Sequence, residues 1–195
     1  MNEIYLPYSQ YLKNKYGQKV YKLPVNLPVS CPNRQNGSGG CIYCGDVGAG
    51  FENLPGTFSV KEQLQKNREY IGKRYKAEKF IAYFQNFTNT YMDILTFEKY
   101  MNEAAAENIC EIAVSTRPDC IRHEYLDILD KINKEKGINI TIELGLQSVN
   151  CHTLEKINRG HSLAEFIDAV LLIKKYGFEI CTHIILNLPW DNIND

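Results

Sequence analysis

The chain has 195 residues, with 22 Lys and Arg against 23 Asp and Glu and a formal net charge of −1. This length suits one domain, and a hydrophobic content of 44% is enough for a packed core, which excludes a wholly disordered chain. The charge balance excludes a globally basic nucleic-acid-binding protein, and no apolar run is long enough to cross a membrane. Seven cysteines, an odd number, exclude complete intrachain disulfide pairing and predict a reducing, cytoplasmic location.

An α/β domain is predicted for residues 25–195, behind an N-terminal extension at residues 1–24. Continuous apolar runs predict strands that are buried in a parallel sheet, and the amphipathic stretches between them predict helices. The predicted strands are Val25–Val29, Phe80–Phe84, Ile112–Ser115, Ile140–Leu146 and Ile180–Leu186. The predicted helices are Val60–Tyr75, Phe97–Glu107, Tyr125–Lys136 and Leu163–Tyr176. These βα-like repeats predict either an open sheet, such as a flavodoxin-like one, or a barrel.

Capping signals predict where several helices begin. Ser59 with Glu62, and Ser162 with Glu165, have the spacing of a capping box, and Thr96 is predicted to cap the second helix. The last predicted strand lies close to the final residue of the chain. Because an apolar strand left at a sheet edge promotes aggregation, we expect the chain to be part of a longer protein.

Three cysteines crowd into one glycine-rich segment after the first predicted strand, at Cys31, Cys41 and Cys44. The Cys41-x-x-Cys44 pair has the spacing of a metal chelate, and the third thiolate comes from the same segment. An iron–sulfur cluster held by three thiolates keeps one iron open for a cofactor or substrate. Zinc, which prefers four closed ligands, and a redox dithiol of Cys41 and Cys44 are the alternatives that these residues leave open.

Most other cysteines and histidines are predicted to have structural positions. Cys181 lies in a predicted buried strand, so core packing is predicted for it. His161 is predicted to lie on a loop surface. His183, on the last predicted strand, is predicted to point toward the interior of a barrel.

The cysteine segment followed by repeating βα units resembles the radical S-adenosylmethionine (radical SAM) superfamily. Nine residues separate Cys31 from Cys41, which is similar to the Elongator-catalytic-subunit-like branch and unlike the compact loop usual in the superfamily. Within that branch the chain resembles the YhcC-like group. The shared segments are Cys31-Pro-Asn-Arg34, Gly39-Gly-Cys41, Tyr83-Phe-Gln85, Thr88-Asn-Thr-Tyr91, Ser115-Thr-Arg-Pro-Asp-Cys120, Glu143-Leu-Gly-Leu-Gln147-Ser148, Ile157-Asn-Arg-Gly-His161 and His183-Ile-Ile-Leu186.

The resemblance implies a partial (β/α)6 TIM-like barrel, here ending after about five βα units, with a [4Fe–4S] cluster at the C-terminal ends of its strands. It implies that Cys31, Cys41 and Cys44 bind this cluster and that S-adenosylmethionine (SAM) binds the open iron. One electron from a partner reductant would cleave SAM to a 5′-deoxyadenosyl radical, which abstracts a hydrogen atom from the substrate.

The same resemblance implies a set of residues that contact the cofactor. These residues are Tyr43, Gln85, Thr88, Arg117, Glu143, Gln147 and Arg159. Tyr43 matches an aromatic position near the adenine, Gln85 and Thr88 match contacts to the SAM amino group, and Gln147 matches a contact to the ribose. Arg159 matches an arginine that pairs with the SAM carboxylate, which suits the planar fork of a guanidinium.

RNA is the substrate class that the resemblance favours, because many members of this branch modify RNA. Residues 61–79 carry seven Lys and Arg against three Asp and Glu, which suits contact with phosphates, although a solvated helix face explains the same charges. The chain departs from its relatives at Asn187-Leu-Pro-Trp190, where they have Gly-Leu-Pro-Gly. A non-catalytic zinc- or iron–sulfur-binding module is the alternative function.

Overall fold

The structure is a computed structural model that describes residues 4–35, 39–45 and 53–193. Within these ranges the strands are β1 (Val20–Val25), β2 (Lys79–Phe84), β3 (Ile109–Thr116), β4 (Asn139–Gln147) and β5 (Glu179–Ile184). The helices are α1 (Tyr8–Tyr16), α2 (Val60–Tyr75), α3 (Ile94–Ala104), α4 (His123–Lys136), α5 (Cys151–Lys156) and α6 (Leu163–Lys175). Short 3-10 turns follow β1 and β3, at Pro32–Arg34 and Pro118–Cys120.

The strands form one parallel sheet in the order β1-β2-β3-β4-β5. Helices α2, α3 and α4 connect the first four strands in turn, and α5 with α6 connects β4 to β5. A flavodoxin-like sheet has its second strand outside its first, so the observed order excludes that alternative. The predicted α/β fold is confirmed, and the sequential parallel order is that of a partial TIM-like barrel.

Side chains alternate between the two faces of the sheet. On one face, apolar residues such as Phe84, Val114 and Ile142 are fully buried and pack with α2, α3, α4 and α6 in the main core. The other face carries buried polar residues near the C-terminal ends of the strands, among them Ser115 and Glu143. This division follows from the two-residue period of a strand, and it places polar groups where parallel α/β sheets form their sites.

Helix α1 packs near the opposite end of the sheet, where the strands begin. Its Leu12 side chain joins an apolar cluster that contains Ile81. Its Lys15 ammonium lies 2.9 Å from the carboxylate of Glu111 on β3 and 2.7 Å from that of Glu179 on β5. One ammonium therefore bridges the two strands on either side of β4.

Both predicted capping boxes are present. The Ser59 hydroxyl accepts the Glu62 N–H, and the Glu62 carboxylate accepts the Ser59 N–H. Ser162 and Glu165 make the same reciprocal pair. Each box satisfies N–H groups that the first turn of a helix leaves without partners, so α2 and α6 begin where the sequence predicts.

The predicted beginning of α3 is wrong by one turn. The helix begins at Ile94 rather than at Phe97, because the Asp93 carboxylate accepts the Thr96 N–H at 2.9 Å. Thr96 therefore lies in the first turn instead of capping it. Aspartate is as good a cap as threonine, and here it lies three residues earlier.

The first strand is predicted at Val25–Val29 but lies at Val20–Val25. Its pairing with β2 runs from Val20 to Val25 and ends there. Strand β1 thus begins inside the N-terminal extension predicted for residues 1–24. The division of the chain into that extension and a core at residues 25–195 stays a prediction.

Strand β5 is more exposed than the sequence predicts. It ends at Ile184 and most of its side chains reach solvent, whereas burial on both faces is predicted. Cys181 is half-buried and does not belong to the apolar core, so its predicted core role is wrong. Among the described residues, no further strand pairs with the outer edge of β5.

Helices α1 and α5 are absent from the sequence predictions. Helix α5 has six residues, which is too short to show an amphipathic period. In the described part of the chain, no helix combines the length and apolar character that crossing a bilayer requires.

Candidate functional site

A cavity of about 260 Å³, called the site cavity below, lies at the C-terminal end of the sheet. All ten residues that the sequence predicts as cluster or SAM contacts line it, namely Cys31, Cys41, Tyr43, Cys44, Gln85, Thr88, Arg117, Glu143, Gln147 and Arg159. Parallel strands end at the same edge, so side chains far apart in sequence meet there. Cys41 and Arg159, for example, are 118 positions apart and in contact. The individual role of each residue stays a prediction.

The cysteine loop, residues 31–45 as far as they are described, turns tightly beside the site cavity. Gly39 and Gly40 have φ angles of 73° and 82°, in the left-handed region that favours glycine. Cys41 is buried, whereas Cys44 is exposed and donates its N–H to the Cys41 carbonyl oxygen at 3.0 Å. Every cysteine in the chain is a free thiol, so the thiols of this loop are available to a metal.

The thiols of Cys41 and Cys44 have different acidities. A hydrogen bond from Cys44 and the nearby Arg159 guanidinium lower the pKa of Cys41 to about 4, against the effect of burial. The pKa of Cys44 is raised, mainly because its thiol shares a hydrogen bond with Cys41. Asn33 also donates to the Cys41 sulfur at 3.3 Å. Cys41 is therefore stabilised as a thiolate, the form of cysteine that binds metals.

The segment after α5 holds the cysteine loop in place. Asn158 donates its side-chain N–H to the Gly40 carbonyl oxygen at 2.8 Å, and the Ile42 N–H donates to the Ile157 carbonyl oxygen at 3.1 Å. Asn33 donates in return to the Asn158 carbonyl oxygen. Local patterns cannot reveal contacts over such sequence separations, so only the family resemblance points to this segment.

Arg159 lies between the cysteine loop and the end of β4. Its Nη2 donates to the Gly145 carbonyl oxygen at 2.6 Å, and its Nη1 lies 3.7 Å from the Cys41 sulfur. Its Nε is buried and has no hydrogen-bond partner among the described residues. A buried N–H without a partner is costly, so this edge of the guanidinium is suited to an anionic ligand in the site cavity.

Arg117 differs from Arg159 because its guanidinium is fully engaged within the protein. Its Nε and Nη2 each lie 2.9 Å from a different carboxylate oxygen of Asp119. It also donates to the carbonyl oxygens of Arg159 at 2.8 Å and Gly160 at 3.1 Å, and its Nη1 lies 4.0 Å from the Cys31 sulfur. All five N–H donors of the guanidinium thus have a protein partner. This arrangement favours support of the cysteine loop over direct contact with a cofactor.

Glu143 accepts hydrogen bonds from four side chains on the polar face of the sheet. Lys22 is 2.8 Å from its Oε1, whereas His183, Tyr83 and Ser115 lie 3.0, 3.1 and 3.1 Å from its Oε2. Burial raises the pKa of Glu143, but His183 and Lys22 together outweigh burial and lower that pKa to about 2. Glu143 is therefore a carboxylate beside the site cavity at neutral pH.

Cys181 joins this network from β5. The Cys181 sulfur and the Glu143 carboxylate together raise the pKa of His183 to about 9. His183 lines the site cavity, which agrees with the predicted inward direction of its side chain. Sequence reasoning missed the role of Cys181 because its neighbour Glu143 belongs to another strand, and the register of two strands is not readable from either one alone.

Gln147 and Thr88 occupy constrained positions at strand ends. Gln147 ends β4 with a φ angle of 78°, next to an irregularity in the pairing of β4 with β5. This conformation is unusual for a residue with a side chain and is typical of functional sites. Thr88 is buried in the turn after β2, and its carbonyl oxygen accepts the Tyr91 N–H at 3.0 Å.

His161 is buried, so its predicted surface position is wrong. Its Nε2 lies 2.9 Å from the Gly145 carbonyl oxygen, the same acceptor that Arg159 uses, and its Nδ1 lies 3.2 Å from the Ser162 carbonyl oxygen. Burial and the Arg159 guanidinium lower the pKa of His161. The prediction fails because the loop after α5 folds inward onto β4.

Comparison with known proteins shows the family to which the chain belongs. Residues 25–195 match the family model described as the Radical SAM superfamily. The chain is 35% identical over 192 residues to the uncharacterized protein MJ0486 of Methanocaldococcus jannaschii, which covers 97% of this chain and 58% of that protein. It is also 35% identical over 181 residues to protein YhcC of Escherichia coli (strain K12), covering 91% of this chain and 57% of YhcC.

A more distant match covers about half of the chain. The chain is 28% identical over 93 residues to the tRNA uridine(34) acetyltransferase of Methanocaldococcus infernus, covering 48% of this chain and 16% of that protein. The matches to YhcC and to this acetyltransferase confirm the resemblance to the YhcC-like group and to the Elongator-like branch. The chain spans little more than half the length of MJ0486 and YhcC.

Proposed function

Because the chain belongs to the radical SAM superfamily, we propose that Cys31, Cys41 and Cys44 bind a [4Fe–4S] cluster in the site cavity and that SAM binds beside it. When bound, the cluster and SAM supply a 5′-deoxyadenosyl radical that abstracts a hydrogen atom from the substrate. One observation carries this proposal: a single loop presents three free thiols to a cavity lined by Arg159, whose buried Nε has no hydrogen-bond partner among the described residues.

The chemistry of the thiols suits a cluster better than a structural zinc site. A structural zinc ion takes four protein ligands, whereas a cubane cluster needs only three and keeps one iron for SAM. Asn33 and Arg159 donate to the Cys41 sulfur, and Arg117 approaches the Cys31 sulfur. Donors of this kind stabilise charge on the sulfurs and shift the potential of a bound cluster.

The chain's own polar groups would orient SAM. Arg159 binds the carboxylate through its unpaired Nε edge, because a guanidinium accommodates both oxygens of a carboxylate. Gln85 and Thr88 contact the amino group, and Gln147 contacts the ribose. Tyr43, whose pKa is raised mainly by burial, packs near the adenine. These groups hold the cofactor in one orientation and exclude water from the reacting atoms.

The substrate that we propose is RNA, with a one-electron reductant as the second partner. Helix α2 and the residues after it present Lys73, Arg74 and Lys76 to solvent, and Tyr70 on the same helix is 63% exposed. Exposed cations near an exposed aromatic ring can bind phosphates and stack on bases. The acetyltransferase relative named above acts on tRNA, by its name, which supports the same class.

The first experiment is anaerobic reconstitution of the chain with iron and sulfide, followed by dithionite and SAM, with 5′-deoxyadenosine as the readout. We expect about four irons per chain and formation of 5′-deoxyadenosine, both abolished by Cys41→Ala and both retained by Cys151→Ala, which removes an exposed thiol outside the loop. A protein that binds zinc through the cysteine loop, remains colourless and ignores SAM would instead be the non-catalytic module.

The RNA proposal has a separate test. Binding of an unmodified tRNA transcript is measured by fluorescence anisotropy across a salt series, for the chain and for a Lys73→Glu, Arg74→Glu variant. We expect the variant to bind the tRNA more weakly. The slope of the logarithm of the binding constant against the logarithm of the salt concentration should become shallower by about two, because two phosphate contacts are lost. The matched control is a Lys131→Glu, Lys134→Glu variant, which reverses the charge of two exposed lysines on α4. Equal losses in both variants would show general charge attraction and contradict a docking surface on α2.

A further inference from the structure

Three chemically different donor atoms meet on the polar face of the sheet, away from the cysteine loop. A Glu143 carboxylate oxygen, the Cys181 sulfur and a His183 ring nitrogen all lie within 4.8 Å of one another. Glu143 pairs in register with Cys181, and His183 is two residues further along β5, so both β5 side chains point to the same face. Cys181 and His183 have no part in the proposed cluster or in SAM binding.

The spacing of these atoms is close to that of ligands around one small metal ion. His183 Nε2 lies 3.0 Å from Glu143 Oε2. In a tetrahedral zinc site, metal–ligand bonds of about 2.0–2.2 Å place a ligand nitrogen and oxygen about 3.4 Å apart. The His183 side chain is 44% exposed, so a displacement of a few tenths of an ångström is open to it. Imidazole, thiolate and carboxylate are together the usual ligands of zinc.

The Lys22 ammonium does not compete for the oxygen that would bind the ion. It lies 2.8 Å from Glu143 Oε1, whereas His183 contacts Oε2. A ligating carboxylate commonly has its other oxygen hydrogen-bonded by the protein, and Lys22 has that position here. The Tyr83 hydroxyl from β2 and the Ser115 hydroxyl from β3 each lie 3.1 Å from Oε2, so an ion bound to that oxygen would replace at least one of these two hydrogen bonds.

We infer that Glu143, Cys181 and His183 form a metal site, separate from the cysteine loop, for a zinc-like divalent cation. Three protein ligands leave a fourth position for an exchangeable ligand, as in catalytic zinc sites. Glu143 and His183 both line the site cavity, so that position faces the volume in which a substrate would react. An ion there would bind an oxygen or nitrogen atom of the substrate and orient it. The metal site itself goes beyond the proposed function, and only its role toward a substrate rests on that function.

The test uses a variant in which Cys31, Cys41 and Cys44 are replaced by alanine, so that neither a cluster nor zinc can occupy the loop. Anaerobic titration with Co²⁺ is followed by optical absorption, because a thiolate bound to Co²⁺ gives an intense charge-transfer band. We expect one equivalent of Co²⁺ to bind with that band and to be displaced by Zn²⁺.

Two further substitutions in this background identify the ligands. Cys181→Ser should abolish the charge-transfer band, and His183→Ala should weaken Co²⁺ binding by at least about 100-fold, since loss of even an outer-shell partner costs 10–100-fold. Cys151→Ser, at an exposed thiol outside the site, should leave band and affinity unchanged. Failure to bind Co²⁺, or a band that persists without Cys181, would overturn the assignment.

A second measurement covers the case in which the triple variant does not fold. The chain with its loop cysteines intact is reconstituted with iron and sulfide, incubated with Zn²⁺, desalted and analysed for metals. One zinc ion per chain in addition to the iron of the cluster supports the site, provided that His183→Ala no longer binds this zinc. Equal zinc in the chain and in His183→Ala refutes it.

Discussion

The Arg159 guanidinium donates to the Gly145 carbonyl oxygen at 2.6 Å, and this bond ties the loop after α5 to the end of β4. The approach is close because Gly145 has no side chain. A Cβ atom at this position would lie 2.7 Å from Arg159 Nη2 and 2.6 Å from Gln147 Nε2. Glycine at position 145 therefore determines where two of the predicted SAM contacts lie.

A Gly145→Ala variant should lose SAM binding while keeping its cluster. The added methyl group must displace Arg159 and Gln147, whereas the hydrogen bonds from Asn158 and Ile42 that position the cysteine loop do not involve either side chain. We expect SAM affinity, measured by calorimetry on the reconstituted protein, to fall by at least tenfold. This decrease corresponds to the loss of one charge-assisted hydrogen bond of about 1.5–3 kcal/mol. Iron content should be unchanged.

The matched control for that variant is Gly72→Ala. A Cβ atom at Gly72 would meet only ordinary contacts of 3.7 Å or more, and the residue lies inside α2. Alanine should therefore stabilise the protein by about 0.5–1 kcal/mol and leave SAM affinity unchanged. Tight SAM binding by Gly145→Ala would show that Arg159 does not contact the cofactor.

The Cys31→Ala variant distinguishes a cluster bound by three thiolates from a redox dithiol. A dithiol needs only Cys41 and Cys44, whereas a cluster with an open iron needs all three thiolates. We expect this variant to lose most of its iron and sulfide after anaerobic reconstitution. Full iron and sulfide content in Cys31→Ala would contradict the assignment of Cys31 as a ligand.

Arg117→Lys should reduce stability although it keeps the charge. A lysine ammonium cannot reproduce the two bonds to Asp119 while also reaching the carbonyl oxygens of Arg159 and Gly160. Because the Arg117 side chain and its bond to the Arg159 carbonyl oxygen are buried, we expect the free energy of unfolding to fall by about 1–3 kcal/mol, measured by urea denaturation. Arg122→Lys, at an exposed position whose guanidinium makes one hydrogen bond, to Tyr125, should change it by less, about 0.5–1 kcal/mol.

His161 should make the protein less stable in mild acid. Burial and the Arg159 guanidinium lower its pKa in the folded chain, whereas an unfolded histidine titrates near about 6.5. Below that pH the unfolded chain binds a proton that the folded chain resists, so the free energy of unfolding decreases as the pH falls. His161→Gln should show a smaller decrease between about pH 7 and pH 5 in urea denaturation. If the free energy of unfolding depended on pH in the same way in both proteins, His161 would make no contribution to the acid sensitivity.

The parts of the fold that local signals determine are predicted well. Helix α2 has the predicted bounds, because a capping box at Ser59 and Glu62 fixes its beginning. The first strand is misplaced, because Val25–Val29 is as apolar as Val20–Val25 and only pairing with β2 distinguishes them. Tertiary contacts decide where such strands begin and end, and the hydrophobic pattern of the sequence does not reveal those contacts.

The candidate site divides in the same way. The three thiols of the cysteine loop are recognisable from their spacing, whereas Gln147 and Arg159 are reached only through the family resemblance. The burial of His161 depends on the Gly145 carbonyl oxygen, and the neighbours of Cys181 depend on the register of β4 with β5. Predicting either feature requires the relative position of two segments that are distant in sequence, and a short stretch of sequence does not give that position.

The bridge made by Lys15 has a practical consequence for defining the catalytic domain. The family match begins at residue 25, yet cutting the chain there would delete nearly all of β1 and with it the helix that carries this ammonium. Glu111, which is almost fully buried, would lose its cationic partner, and β2 would become an unprotected edge. The smallest unit worth expressing therefore begins before α1, about twenty residues upstream of the boundary that sequence similarity draws.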